Sequence, residues 1–494
     1  MALITLEIPP GVYRTGTDLD SKNRWLDASL VRWDQGSLRP IGGWLQRGTE
    51  TVGAVPRGCH VWTDNNGGRH IVAGTFNSLS HIYQDNVKTS LTPVGLSSGT
   101  VGQASNTGYG GADFGEEDYG TERANDSFYA EATSWSMGNF GEYLVACSSE
   151  DGKIYEWQLN TSVLPTALAN APVNNDAIVV TEERFIFALG AGNNPRKVQW
   201  CDREDNTDWT PTATNQAGDF ELTTTGRIQQ AVKVRGRTLI LTTTDAHVAT
   251  YSGPPFVYGF ERVSGSCGAI SRMSAVGIHE GAFWMGNNGF FAYDGSGVRE
   301  LQCAVHDRVF DNINTSQNSK VFGVHNAQHN EIWWFYSTGT DAEDNDSYVA
   351  YDYREDIWTV GKMARSAGFD VGVFSNPIWF GIDGKLYDQE TGFSYDSDKP
   401  YAETGPLMIG ASGEDLMKVT RLIPDVTSLE SADVYFTTRL YPTAPATTHG
   451  PFDLSNPTSV RFQGRQVRMK IEGQETTNWR AGAMRLEVSP GAKR

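Results

Sequence analysis

The 494-residue chain is poor in cysteine, in long apolar runs and in positive charge, and each lack removes a class of protein. Its five cysteines, Cys59, Cys147, Cys201, Cys267 and Cys303, are odd in number, far apart and never in C-x-x-C spacing. That pattern excludes a disulfide framework or a zinc ribbon and predicts buried thiols in a chain made in a reducing cytosol. No stretch of 18 apolar residues occurs, so no membrane-crossing helix is expected. Met1–Pro10 has no basic start and Pro9-Pro10 breaks its one apolar run, so no secretory leader is expected. With 40 Lys and Arg against 59 Asp and Glu, the formal charge is −19. A body this acidic repels a phosphate backbone and cannot bind it by counterion release. It can still surround DNA without gripping it. Amphipathic helical periodicity is almost absent, and there is no P-loop, G-x-S-x-G, H-E-x-x-H or dinucleotide fingerprint.

What is present is a repeated grammar of strands. The chain carries 14 Trp, 19 Tyr and 22 Phe, residues that favour strands, and 53 Gly, which supply tight turns. A short apolar strand, a Gly/Asn/Asp turn and an aromatic strand ending in Asp-Gly or Trp recur at Arg69–Tyr83, Tyr143–Trp157, Phe185–Trp200, Thr238–Tyr251, Ala282–Tyr293, Ile332–Trp358 and Ile378–Tyr387. One small antiparallel sheet repeated about every 45 to 60 residues is best closed radially. The fold class is therefore all-β: a six- or seven-bladed β-propeller, six with strand exchange being preferred.

Residues 1–50 read as an extended N-terminal clasp that pairs with the last blade or with a neighbouring subunit, and residues 51–405 as the propeller. Within the propeller, residues 95–131 form a Gly-rich acidic insert placed on a rim, with Glu116, Glu117, Asp118 and Tyr119 as gate or rim candidates. The strand run Val232–Thr243 is read with Arg235-Gly-Arg inside it. From 406 to 494 the spacings lengthen and alternation becomes regular, which predicts a C-terminal β-sandwich-like platform. This end is mildly basic: from Lys418 onward eleven Lys and Arg face seven Asp and Glu, leaving about −23 on the rest. Arg461, Arg465, Arg468 and Lys470 alternate with Phe462, Val467, Met469 and Ile471, so one basic face is expected to look outward, extended by Arg480 and Arg485. These six residues are the candidates for partner contact.

No catalytic residue, cofactor or metal ligand is assigned, and the chain is read as a non-enzyme. Most acidic residues sit in Asp-Gly or Asn-rich turns, where they cap the backbone. Ser149-Glu-Asp-Gly resembles the Asp box of sialidase propellers but has the wrong spacing. Asp341-Ala-Glu-Asp-Asn-Asp spaces carboxylates as a calcium loop does, yet lacks the central Gly and the distal Glu. His325 and His329 read as surface polar residues. Of Trp333 and Trp334, alternation is expected to bury one and expose the other.

The ends of the chain carry a resemblance. Ile8-Pro-Pro-Gly-Val-Tyr-Arg, then Asn23-Arg-Trp-Leu-Asp-Ala-Ser-Leu-Val-Arg-Trp and Pro40-Ile-Gly-Gly-Trp44, resemble the opening of tail nozzle or hub proteins of short-tailed bacteriophages, of the tail tubular and packaged-DNA stabilisation types. Ser459–Gly473 and Trp479–Val488 resemble the close of the same family. The resemblance implies a virion tail component assembled in the host bacterial cytoplasm: a ring of six copies below the portal and adaptor. That ring would enclose the DNA exit channel with an acidic lumen. The implied partners are the head-to-tail adaptor, a tail needle or plug, tail fibres, and double-stranded DNA passing without sequence recognition. The alternatives are a tail-associated receptor-binding or glycan-degrading propeller and a distal tail hub.

Overall fold

A computed structural model describes residues 2–102, 131–407, 416–427, 431–441, 443–454, 457–474 and 477–490. Its strands follow from local turn chemistry. At the Asp64 hairpin the carboxylate Oδ1 accepts the amides of Asn66 at 2.8 Å and Gly68 at 2.7 Å, which turns the chain without help from outside. Arg235 and Gly236 both have positive φ, 49° and 72°, and form the two-residue turn between Ile228–Val234 and Arg237–Thr242. The expected continuous strand Val232–Thr243 is thus a hairpin, because two successive left-handed residues suit a type I′ turn.

Seven four-stranded antiparallel sheets form the propeller among the described residues. Blade one runs from Cys59–Thr63 out to Lys88–Ser90, blade two from Trp135–Phe140 to Thr166–Ala167, and blade three from Ala177–Val180 to Gly218–Glu221. Blade four runs from Ile228–Val234 to Val257–Ser264, blade five from Ala275–Ile278 to Val298–Leu301, and blade six from Phe322–Asn326 to Ile357–Lys362. Blade seven takes Ala367–Phe369, Ile378–Phe380 and Lys385–Gln389 from one end of the chain and its outer strand, Trp44–Thr51, from the other. Each inner strand packs beside the next, and that of blade seven returns to blade one. The preferred count of six is corrected to seven: what reads as a half blade in 367–389 is completed by a strand far away in sequence.

Aromatic side chains fill the seams. Trp333 and Trp334 are both buried, at 1% and 0% exposure, contrary to the expectation that one would be exposed. A middle strand has a blade on each side: Trp334 packs on Phe290 of blade five and Trp333 on Trp379 of blade seven. At the closure, the Arg365 guanidinium lies 4.7 Å over the ring of Trp44 and 4.8 Å over that of Tyr387, joining the imported strand to its host.

The second body is a sandwich of two sheets. One orders Val31–Asp34, Ser37–Pro40, Ala481–Pro490, Met417–Val426 and Thr458–Gly464, with Ala2–Leu6 also pairing Ala481–Pro490. The other orders Trp25–Ser29, Tyr401–Thr404, Gln466–Gly473, Ala432–Arg439 and Thr447–Asp453. Two domain boundaries therefore move. Residues 1–50 pair with the last blade as expected, through Trp44–Thr51, but their other four strands belong to the sandwich, which begins at Tyr401 rather than 406. Strands from 406–494 alone leave both sheets short of the partners that the lead supplies.

Arg32, on the lead, bolts the two bodies together. Its Nε and Nη2 each donate at 2.9 Å to Glu331 of blade six, and its Nη2 and Nη1 donate at 2.5 and 3.0 Å to Glu390, just past blade seven. All three side chains are almost wholly buried, at 4–8% exposure. Burial disfavours both carboxylates as ions. It prevails at Glu331, whose pKa is raised, and is overcome at Glu390 by Arg32, which holds that group below its ordinary value. Replacing Arg32 with Met should destabilise the chain by about 3–5 kcal/mol in chemical denaturation, because two buried carboxylates lose their counterion. The triple change Arg32→Met, Glu331→Gln, Glu390→Gln should recover most of that loss.

Candidate functional site

The small residues Gly58, Ser136, Ala177, Ala231, Ala275, Gly323 and Gly368, one from each blade, line the propeller axis. At Gly58, φ is 143° and a Cβ would come within 2.4 Å of the Trp135 carbonyl oxygen, so a side chain there would force blades one and two apart. The space on the axis is about 210 Å³. Because each inner strand packs against the next all the way round, the ring leaves no bore of duplex width, a major groove alone being about 12 Å wide. The propeller's own axis is therefore not a DNA conduit.

At the N-terminal ends of the inner strands the axis opens into a mouth. The residues that enter the seven blades there are Arg57, Ser134, Asp176, Arg227, Arg272, Lys320 and Arg365. Five of the seven are cationic in a chain of net charge −19; Arg365 turns onto Trp44 and Tyr387, and carboxylates from loops cross-link the other four. Arg272 donates to Glu131 at 3.0 Å and to Asp176 at 2.6 Å, and Glu131 also pairs with Arg227. Arg57 pairs with Asp344, whose other neighbour is the Lys320 ammonium at 3.5 Å. Lys320 donates to the Glu343 carbonyl at 2.5 Å. Burial first, and repulsion from Arg57 second, push Lys320 down to about 8, against the attraction of Asp344 and Glu343.

The two described ends of the acidic insert meet at this mouth. The Thr100 amide donates to Thr133 Oγ1 at 2.9 Å, the Thr133 amide to the Thr100 carbonyl at 3.0 Å, and the Ala132 amide to Ser319 Oγ at 3.1 Å. Glu116, Glu117, Asp118 and Tyr119 lie outside the described residues. The basic residues at the mouth were not singled out from sequence, although a signal existed: a Lys or Arg one to three residues before the inner strand of five blades.

The six partner-contact candidates do not form the single basic face expected of them. Arg461 and Arg485 sit on one sandwich sheet, Arg468 and Lys470 on the other, so they project to opposite sides of the domain. Arg468 pairs with Asp18 and lies 3.8 Å from Glu403. Lys470 pairs with Glu472 and sits 4.6 Å over the Tyr401 ring. Arg480 donates to the Asp34 carbonyl at 2.9 Å, tying the end of the chain to its beginning. Arg461, Arg465 and Arg485 are exposed. Alternation identified which residues share a strand face, but two sheets packed back to back turn those faces apart.

The other sequence candidates take structural positions. Asp346 caps the blade six hairpin by accepting the Thr338 amide at 2.9 Å, and Asp344 belongs to the mouth. His325 pairs with Asp370 at 2.7 Å, while His329, in the cleft beside Arg32, is held at about 4 by burial and by that guanidinium, despite Glu390 at 3.6 Å. All five cysteines are free. Cys147, Cys201 and Cys267 are buried, and Cys59 and Cys303 are partly so.

No family model matches the chain, and no curated protein matches it. Among solved structures it is similar to virginiamycin B lyase from Staphylococcus aureus, at 11% identity and a TM-score of 0.41, over 70% of this chain and 97% of that one. It is also similar to YCF48 bound to D1 peptide, at 10% identity and a TM-score of 0.39, over 71% and 97%. A third similarity is to PorZ of Porphyromonas gingivalis, at 9% identity and a TM-score of 0.38, over 83% and 46%. Such distant likeness carries no argument about this chain's activity, and the seven-bladed ring stands on its own strand pairing.

The mouth has a measurable electrostatic signature. Between pH 8 and 10.5 an unfolded chain keeps the Lys320 proton that the folded one has released, so folding becomes more favourable as pH rises through that window. Urea titrations of the native protein and of Lys320→Met, run from pH 7.5 to 9.5, should show the native protein gaining stability relative to the variant.

Proposed function

We propose that this chain is a structural component of a virion: the tail nozzle of a short-tailed phage. Six copies form a ring below the portal and adaptor that encloses the DNA exit channel, helps retain the packaged genome and conducts it during ejection. The chain transforms no substrate and carries no cofactor. Its partners are its own copies, the head-to-tail adaptor, a needle or plug, the tail fibres, and the duplex that passes through. It is assembled in the host bacterial cytoplasm and resides in the tail.

One observation carries this reading. The two stretches that resemble nozzle proteins lie about 400 residues apart in sequence yet build one domain: Trp25–Ser29 reaches Gln466–Gly473 through Tyr401–Thr404, and Val31–Asp34 reaches Ala481–Pro490 through Ser37–Pro40. A resemblance in two separate places thus becomes a resemblance of one module. The narrow propeller axis agrees with a conduit formed between copies rather than within one. A net charge of −19 agrees with a wall that repels phosphate, so that DNA slides without sticking.

The receptor-binding or glycan-degrading alternative has an observation of its own. Phe220 and Phe260 stack face to face at 4.5 Å on the rim between blades three and four, and Phe220 is 41% exposed. Aromatic platforms of this kind suit sugar rings.

Native mass spectrometry and electron-microscopy class averages of the purified chain, alone and with its adaptor, separate the two readings. A six-fold ring with a central opening wide enough for duplex DNA is the expected result. A monomer that binds host glycan, with or without the adaptor, overturns the nozzle.

A further inference from the structure

Blades one and two meet on a stack of histidine and tryptophan rings that neither the ring closure nor the proposed function uses. Trp62 lies between His60, at 5.5 Å, and His70, at 5.0 Å, and both pairs are nearly parallel. His70 stacks in turn on His81 at 5.1 Å, and Trp157 of blade two covers His81 at 4.8 Å. The seam's polar links across the two blades adjoin the same rings. His60 Nε2 meets Asn139 Oδ1 at 2.5 Å, the Trp62 indole donates to the Glu142 carbonyl at 3.1 Å, and the Asn65 amide donates to the Glu142 carboxylate at 3.1 Å.

The hydrogen bonds assign the protons. Asp64 Oδ2 lies 3.1 Å from His70 Nε2, and His70 Nδ1 lies 2.9 Å from His81 Nε2. The Asp64 carboxylate can only accept, so His70 carries its proton on Nε2. His70 Nδ1 is then an acceptor, and His81 must donate to it from Nε2. This leaves His81 Nδ1 as a bare lone pair, fully buried and without a hydrogen-bond partner. The relay thus runs from a carboxylate at the surface hairpin to a basic nitrogen sealed against Trp157.

We propose that the seam between blades one and two is an acid-sensitive joint, closed while His81 is neutral and opened when a proton reaches its Nδ1. The imidazolium so formed has no acceptor on that side, and its charge is solvated only if Trp157 moves off and water enters. The surrounding charges do not supply a substitute. Asp64 is spent on His70 and on the turn amides, Asp85 acts on His81 at a distance, Tyr83 is a neutral phenol beside both rings, Glu142 is held by Asn65, and Lys233 repels charge on His60. Burial, reinforced at His81 by His70, holds His81 at about 4, and burial holds His60 at about 4 against its Asn139 bond. An unfolded histidine protonates near 6.5, so the seam loses stability as pH falls from about 6.5 towards 4. Among the described residues no other seam holds a histidine-to-histidine relay: His247 of blade four is buried beside Asp245 and His329 lies beside Arg32 and Glu390, while blade five meets blade six on rings such as Phe290 and Trp334.

Hydrogen exchange of the full chain at pH 7.5 and at about pH 4.5, corrected for intrinsic rates, tests this. Strands Arg69–Gly74, Leu79–Tyr83 and Tyr143–Ser148 should lose protection by about tenfold or more, while Gly281–Met285 and Phe290–Tyr293 of blade five keep theirs. His81→Gln keeps a donor for His70 Nδ1 but cannot titrate, and should retain protection at the lower pH. Equal protection of blades one and five in the native protein at pH 4.5, or simultaneous loss everywhere, overturns the proposal. So does a folded His81→Gln variant that opens as the native protein does. If that variant fails to fold, the comparison of blades within the native protein still decides.

Discussion

The structure depends on one segment satisfying two closed bodies at once. Residues 25–40 supply three strands to the sandwich, and four residues later the same chain becomes the outer strand of blade seven. Neither body is complete without it. A propeller with an incomplete last blade exposes a sheet edge, and a sandwich lacking the lead leaves one edge of Tyr401–Thr404 and one edge of Ala481–Pro490 open. Between these two duties Arg32 is held by Glu331 and Glu390, buried deeply enough that the ion pairs tolerate little displacement. The segment therefore fixes the propeller to the sandwich as well as closing the ring.

Rigidity elsewhere comes from the seams. Middle strands such as Glu331–Tyr336 are buried along their whole length, and each large ring removes apolar surface from water on both sides of its sheet. The same geometry places one small residue of each blade on the axis, where seven inner strands converge, with a few larger neighbours such as Trp135 and Phe322 beside them. Charge is displaced to one end of the axis, where Arg57, Arg227, Arg272 and Lys320 face carboxylates from loops. A ring of paired cations and carboxylates marks that end of the axis, and the described ends of the insert are anchored beside it.

Much of the propeller was legible because its signals are local. Asp-Gly and Asn-Gly turns fix hairpins within a few residues, and alternating aromatic runs identify strands one at a time. Blades one to six can be read this way from 59 to 362. Blade seven could not be counted, because its fourth strand lies more than 300 residues earlier and no local pattern names its partner. The six basic C-terminal candidates show the same limit. Arg461 and Arg468 share a pattern in sequence, yet they belong to sheets that face opposite ways. Trp333 and Trp334 differ from the reading for a related reason: alternation distinguishes two faces but not whether a neighbour covers both.

The sequence by itself determined the all-β class, the repeating hairpins, the absence of disulfides among five dispersed cysteines and the acidic character of the chain. Each of these depends on composition or on contacts within about a dozen residues. Only the tertiary structure decided the number of blades, the splitting of the lead between two bodies, the union of the two ends in one sandwich and the position of the charged mouth. Those features depend on pairings between residues hundreds of positions apart. Such pairings follow from which unpaired edges and apolar faces remain once the local elements have formed.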